Sequence, residues 1–486
     1  MRNPVCEIVF RLGAGVILFG LVMYSQPLWA QPRTKLFSSL SSAEAAEDLQ
    51  ELIRTLEDVH PRLYFRADSV RIAARTDSLI RTFPDSLTAL EFWVRVSPLV
   101  AALGDGHTFL SFPWEAWRTY RRQGGPAFPL KVRIENGRGY LTETDPRFPE
   151  LPAEAEILAV NGIPFSAIAA DLVRRISGER RSFREEIAGR NFAPFLWGLY
   201  PDWPRDYRIT WRGTRGDSSR HTVRISGTTS PAATSSGSGP APYSFREVPD
   251  RSVGIIDFRS MRDLSAFRSF LRSTFRTIRD DSLQALIIDI RRNGGGNSQL
   301  GDALIAYLTD QPYRQVDTME VKASREARRF LIRRFVKWWQ MPLLPLAVFH
   351  PLGRALLLKK AGTITTFTPA EKQPESVPYP FRGTVYLLTS RHTFSSANML
   401  AITFKCYHLG TIIGEETGGV TVAYGDIVSF TLSHTGLGGG VSYKRFVHPC
   451  GREDGHGVIP DIPVPADRAL ETALEQIRLT MGSREK

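Results

Sequence analysis

Cysteine is scarce in this chain. Three occur in 486 residues, at Cys6, Cys406 and Cys450, too few for a scaffold built on disulfides. Long apolar runs are scarce too. The N-terminal one, from Leu12 to Met23, is about a dozen residues, short for a bilayer span and right for the apolar region of a signal peptide. Arg2 and Arg11 flank it and Leu28-Trp29-Ala30 follows as a cleavage site. Residues 1–30 are therefore expected to direct export, with an uncleaved anchor as the rival reading. That leaves Cys406 and Cys450, a candidate disulfide in an oxidising compartment; two buried free thiols are the equal alternative. No helix-turn-helix, zinc-finger or RNA-binding pattern accompanies the net charge of +12, so no nucleic-acid partner is expected. Much of the excess lies between Arg325 and Lys360, and a membrane surface or an acidic partner suits it better.

What is present is ordinary globular material. An apolar share of 42% with 10% aromatics excludes disorder throughout, and the length suggests two to four domains. Leu49, Leu52, Ile53 and Leu56 recur at helical spacing, and Ala89 to Leu103 reads as a second helix. It stops at Gly104-Asp105-Gly106-His107-Thr108, a turn expected to present His107 outward. Residues 35–120 form a helical domain on this reading. From about 125 to 228 the texture is short strands and turns, with Asn161-Gly162 as a hairpin signal. The low-complexity stretch 229–243 is a linker. From 244 to 480 strands and helices alternate, as βαβ units of an α/β domain do. A basic, Trp-bearing insertion interrupts them at 320–365. It is either a membrane-surface segment or a helical insertion packed over the domain with a solvated basic face.

Two segments carry chemistry. Asp289-Ile-Arg-Arg-Asn-Gly-Gly-Gly-Asn297 follows an apolar strand, and its glycines let backbone N–H groups approach a ligand. The spacing is not that of a dinucleotide loop, and an oxyanion hole is the better reading. Thr393-Phe394-Ser395-Ser396-Ala397 lies between a strand and a helix, where a serine is either a nucleophile or a plain helix cap. His107, His392 and His456 are candidate bases, and Glu453, Asp454 and Asp461 are carboxylates to orient one.

In this order the segments resemble the tail-specific, or C-terminal-processing, serine peptidases. The match rests on Asp289, Arg291, Asn293, Gly295 and Gly296, then Thr393, Ser395 and Ala397, then Gly414, Thr417 and Gly419, then Gly457, Val458, Pro460 and Asp461. Asn398 stands where the family has a glutamate. The resemblance implies a crotonase/ClpP-like α/β catalytic domain, a PDZ-like module carrying Ala155 to Gly162, a polypeptide substrate and no cofactor or metal. The family's Ser–Lys dyad is excluded, because no lysine occurs between Lys405 and Lys444. The tricorn-like subtype implies Ser395 as nucleophile, His107 as base and Asp454, or its neighbour Glu453, as the acid. Gly295, Gly296 and Ser396 supply the oxyanion hole on this reading, Asn293 and Gly419 bind substrate, and Ser396 is the fallback nucleophile. Self-association stays open, as does a non-catalytic binding protein on the same fold. The expected location is periplasmic or extracellular.

Overall fold

The computed structural model describes residues 39–203, 206–213, 219–229, 241–249 and 252–482. The expected signal segment and most of the expected linker lie outside these residues. The chain divides into two compact units, one built mainly from residues 29–239 with 427–442 and the other from 240–426 with 443–486. The main division falls near residue 240. Residues 427–442, however, leave the α/β unit and join the N-terminal one. The cause is local pairing: Gly439 and Gly440 pair with Leu110 and Phe109 of β1 (Phe109–Leu110). The carboxylate of Asp48 also accepts the N–H groups of His434 and Thr435 at 2.9 and 2.7 Å.

Three helices open the N-terminal unit: α1 (Ser42–Val59), α2 (Ser69–Thr82) and α3 (Ala89–Ala101). Ser41 with Glu44 and Thr88 with Glu91 close capping boxes at α1 and α3, satisfying N–H groups that a helix start leaves open. The α1 stripe Leu49, Leu52, Leu56 and Val59 is fully buried. The sheet that follows runs β2 (Val132–Glu135), β3 (Arg138–Leu141), β4 (Glu156–Val160), β6 (Asp206–Arg212) and β7 (Arg220–Ser226), all antiparallel, with β5 (Ile163–Pro164) also paired to β4. Asn161 and Gly162 turn the β4–β5 hairpin at φ 50° and 82°, the left-handed pair that an Asn-Gly turn provides. Helices α4 (Phe165–Val173), α5 (Arg181–Arg190) and α6 (Phe192–Leu199) complete the module.

The second unit is built on a six-stranded sheet in the order β8 (Tyr243–Val248), β9 (Val253–Phe258), β10 (Ala285–Asp289), β13 (Thr384–Thr389), β14 (Thr411–Gly414) and β17 (Ile462–Pro463). Only β8 runs antiparallel. A parallel sheet covered on both faces needs strands apolar throughout, and Ala285-Leu-Ile-Ile is such a run. Leu286 and Ile288 pack with α7 (Leu264–Asp280), α8 (Gln299–Ile305) and α11 (Ser395–Tyr407). Ala285 and Ile287 pack with Ala469, Ala473 and Ile477 of α12 (Ala469–Gly482). Each fully buried Leu or Ile contributes roughly 1.5–3 kcal/mol by leaving water.

The insertion leaves between β11 (Thr318–Lys322) and β12 (Ile364–Phe367), which pair antiparallel. It consists of α9 (Arg325–Phe335), a run of 3₁₀ turns over Trp338–Phe349 and α10 (Pro351–Leu358). Its base is packed, with Ala327, Leu331, Leu352, Ala355 and Leu356 buried. The 3₁₀ run has no buried residue. A fully packed insertion is therefore not what forms.

Cys406 and Cys450 are joined in a disulfide with Cα atoms 6.0 Å apart, across 44 residues of sequence. In the chain-entropy account a loop of that length contributes roughly 3–4 kcal/mol. Cys406→Ser, or reduction of the wild type, should lower the melting temperature of the folded protein by several degrees, read by circular dichroism. An unchanged melt under reductant would show that the bridge adds nothing.

Candidate active site

The parallel sheet sets the ends of β10 and β13 side by side, so the loops that follow them meet. In the first loop Asp289 takes Arg291 Nε at 2.9 Å and Nη2 at 2.6 Å. Asn293 is fully buried. Its Nδ2 donates to Phe258 O at 2.9 Å and its Oδ1 accepts the Gly295 N–H at 2.9 Å. The amide is thus spent on holding the loop in shape. Gly295 and Gly296 have φ of 102° and 137°, where a side chain is strained. Space forbids one as well. A Cβ on Gly295 would lie 2.7 Å from Ser395 Cβ, and one on Gly296 would lie 2.4 Å from Met261 O.

The second loop is laced to the first. Ser390 Oγ donates to Arg291 O at 2.6 Å, Thr393 Oγ1 to Ile290 O at 3.1 Å and Phe394 N–H to Asn293 O at 3.3 Å. The helix cap is Phe394, with no side-chain capping bond, so neither serine caps α11. Ser395 instead stands at φ 52°, a left-handed conformation that costs an ordinary residue about 1–3 kcal/mol. Ser396 Oγ donates to Gly296 O at 2.7 Å and is committed there. Behind the turn, Asn398 Oδ1 accepts Thr417 Oγ1 at 2.6 Å and its Nδ2 donates to Val420 O at 3.0 Å. Thr417 Oγ1 also accepts the Val458 N–H at 2.8 Å. The Gly419 N–H donates to Thr393 O at 3.3 Å. All four of the sequence motifs are therefore one hydrogen-bonded body.

The expected acids stand at the surface of this unit. Glu453 is exposed and pairs with Arg445, which also meets Glu320 at 3.2 Å. Asp454 is exposed and accepts the His456 N–H at 2.9 Å. Glu416, which sequence reasoning passed over, accepts the Gly457 N–H at 2.8 Å and lies 3.1 Å from His456 Nδ1. His392 is half-buried, its backbone N–H bonded to Ser390 Oγ at 3.0 Å.

His107 belongs to the N-terminal unit. Its side chain is 13% exposed, so the turn tucks it in where the flanking glycines suggested outward display. The turn is built around Asp105, which is buried. Asp105 Oδ1 accepts the His107 N–H at 2.9 Å, and Oδ2 accepts Thr108 Oγ1 at 2.5 Å and Ser442 Oγ at 2.7 Å. His60 Nε2 lies 3.3 Å from Oδ2, while His60 Nδ1 accepts the Arg62 N–H. That fixes the proton on Nε2, pointing at Asp105. Burial pushes the Asp105 carboxyl up, but its interactions with His60 first, then with His107 and Thr108, outweigh it and hold it well below the usual range. Asp105 Oδ1 stands 4.0 Å from His107 Nδ1.

Glu179 is the residue that no motif announced. Its two carboxylate oxygens are buried with no hydrogen-bond partner of normal geometry. Ligand atoms of Asp105, His107 and Glu179 lie within 4.8 Å of one another. Burial first, then the Asp105 charge, push its carboxyl from 4.5 to about 8, against weaker opposing pulls from Arg66 and nearby N–H groups. Two buried carboxyls this close share one negative charge, and the hydrogen-bonded one keeps it.

A serine on a strained strand-to-helix turn, against a glycine strip at the carboxyl edge of a parallel sheet, is the arrangement of a serine hydrolase. The signature of Peptidase family S41 matches residues 252–464. Residues 252–464 carry that family's peptidase domain, which makes the chain a serine-type peptidase. Its fold is shared with mature CPAF complexed with lactacystin, at 16% identity and TM-score 0.61 over 90% of this chain and 97% of that one. A structure of mature CPAF alone gives 16% and 0.60 over the same shares.

Two outcomes test this geometry. Gly295→Ala should cut turnover at least about a hundredfold while the protein still folds; near-normal activity would mean that the glycine strip is not in the site. For Glu179, the folded value lies above the unfolded one, so its contribution is present at low pH and lost as pH rises from 4.5 to about 8. Glu179→Gln should therefore gain thermal stability relative to wild type across that window, and parallel melting curves would refute the buried proton.

Proposed function

We propose that the protein is an exported serine endopeptidase with Ser395 as nucleophile and His107 as general base. The observation that carries the reading is Ser395 itself: it is not the helix cap, it is held at φ 52°, and it lies against Gly295 with no room for a side chain between them. Strain of that kind persists where the surroundings impose it, and it clusters at reacting groups.

In the proposed cycle His107 takes the Ser395 Oγ proton as the oxygen attacks the scissile carbonyl. N–H groups of Gly296 and Ser396 hold the oxyanion; that of Gly295 joins them by exchanging its bond to Asn293 Oδ1. The imidazolium returns its proton to the leaving amine, and water activated by the same histidine releases the acyl group from Ser395. Asp105, ionised and 4.0 Å from His107 Nδ1, supports the imidazolium charge, and Asp454 or Glu453 serves as the family's third member. The module 125–228 acts as a PDZ-like substrate adaptor. The signal segment and the disulfide support a periplasmic or extracellular location. Membrane contact through 325–360 completes the proposal.

The experiment is a fluorophosphonate probe with peptide hydrolysis beside it. Ser395→Ala should abolish labelling, and both Ser395→Ala and His107→Ala should lower kcat/KM by about 10³-fold or more, while Ser396→Ala keeps labelling. Loss of labelling in Ser396→Ala alone would move the nucleophile. Folded wild-type protein that neither labels nor hydrolyses peptides would leave a binding protein on this fold.

A further inference from the structure

The insertion is a stalk with an unusual tip. Its stalk is secured in several ways. Ala323 and Thr363 exchange a backbone bond of 2.9 Å, Gly362 N–H donates to Ala323 O at 2.8 Å, and the Ser324 hydroxyl caps Ala327 N–H at 2.9 Å. Arg328 reaches across to the carbonyls of Leu356 and Lys359, joining α9 to α10. A Cβ on Gly353 would meet Ala347 O at 2.0 Å, so α10 is pressed against the 3₁₀ run. The tip is therefore held by its stalk, with no burial of its own.

That tip is apolar and open. Trp338 is 85% exposed, Phe349 75% and Trp339 54%, with Met341, Leu343 and Leu346 also exposed. Pro342 and Pro345 lie inside the run, remove two N–H donors and keep it from continuing as an α-helix. The run and α10 meet at 107°, and no single described helix is long and apolar enough to cross a membrane. Such a segment can lie on a bilayer; by length and composition alone, the run and α10 together would also suit a bent or re-entrant span.

Charge chooses the occupant. Residues 325–360 hold nine Arg and Lys against the single acid Glu326, a surplus of eight out of the chain's net +12. Arg333, Arg334 and Lys337 stand exposed just before the tip, and Arg354, Lys359 and Lys360 stand exposed after it. Basic groups on both flanks of exposed tryptophans match a surface that is anionic outside and apolar beneath. A protein partner that covered this tip would need an acidic rim around an apolar pocket.

We infer that Trp338, Trp339 and Phe349 seat the enzyme in the interfacial layer of an anionic lipid membrane, with the flanking Arg and Lys on the headgroups. The substrates brought within reach are then polypeptides at that membrane surface. This deepens the membrane contact proposed above and is independent of which serine reacts.

The test uses the full chain carrying Ser395→Ala, which removes the proposed chemistry and leaves the insertion intact. Co-sedimentation is measured with vesicles containing phosphatidylglycerol and with vesicles of phosphatidylcholine alone. The chain should partition at least about tenfold more strongly to the anionic vesicles, with the gap closing at high salt and tryptophan emission shifting to the blue. Trp338→Ser with Trp339→Ser and Phe349→Ser should lose about tenfold in partition, and so should the charge reversal Arg333→Glu with Arg334→Glu. These side chains are exposed, so both variants should keep the wild-type circular dichroism and melt. Because all chains share the same N-terminal segment, its own lipid affinity cancels. Partition unchanged in both variants would overturn the inference, as would a tip that drives self-association in solution without any vesicle binding.

Discussion

The site depends on one close approach, that of Gly295 to Ser395. Two loops leaving neighbouring parallel strands are brought together by the sheet, but the sheet alone would leave side chains between them. Two glycines with φ above 100° remove that obstacle. The second loop then bonds to the first through Ser390, Thr393 and Phe394. The helix start is thereby fixed, and with it the left-handed turn at Ser395. The energy stored there is modest beside what the surrounding core supplies, with Leu286, Ile288, Leu387 and Leu400 fully buried beneath it.

Much of this was legible in sequence because it is written in backbone requirements. A run of apolar residues ending in Asp, then glycines, can be read as a buried strand and a loop with bare N–H groups. The Asn-Gly hairpin at 161–162 is legible for the same reason. The choice between nucleophile and cap was not legible, since both put serine at a helix start; the structure puts Phe394 at the cap, which removes the second reading and leaves the first as a proposal. Asn293 carries a similar lesson. A polar residue in a motif reads as a ligand for substrate, yet its amide is consumed by Phe258 and Gly295.

What sequence concealed was chiefly non-local. Glu179 sits in an unremarkable loop far along the chain from Asp105, and only the fold makes them neighbours. The exchange of 427–442 between units is of the same kind. It turns on Asp48 and on two glycines paired to β1, none of which has a periodic signature.

The insertion shows the limit of pattern from the other side. Its composition allowed two readings, and a helical wheel could not choose, because a basic face with an apolar face describes both a packed helix and a membrane-bound one. The structure separates them by burial. The apolar residues of α9 and α10 that can reach each other are buried, which consumes the amphipathic pattern in the stalk. What remains, Trp338 to Phe349, has proline at two positions and cannot extend either helix to find a partner. An apolar segment that is carried on a packed stalk yet unburied has its hydration cost unrelieved within the chain, and the flanking cations are the reason an anionic interface is proposed as the surface that relieves it.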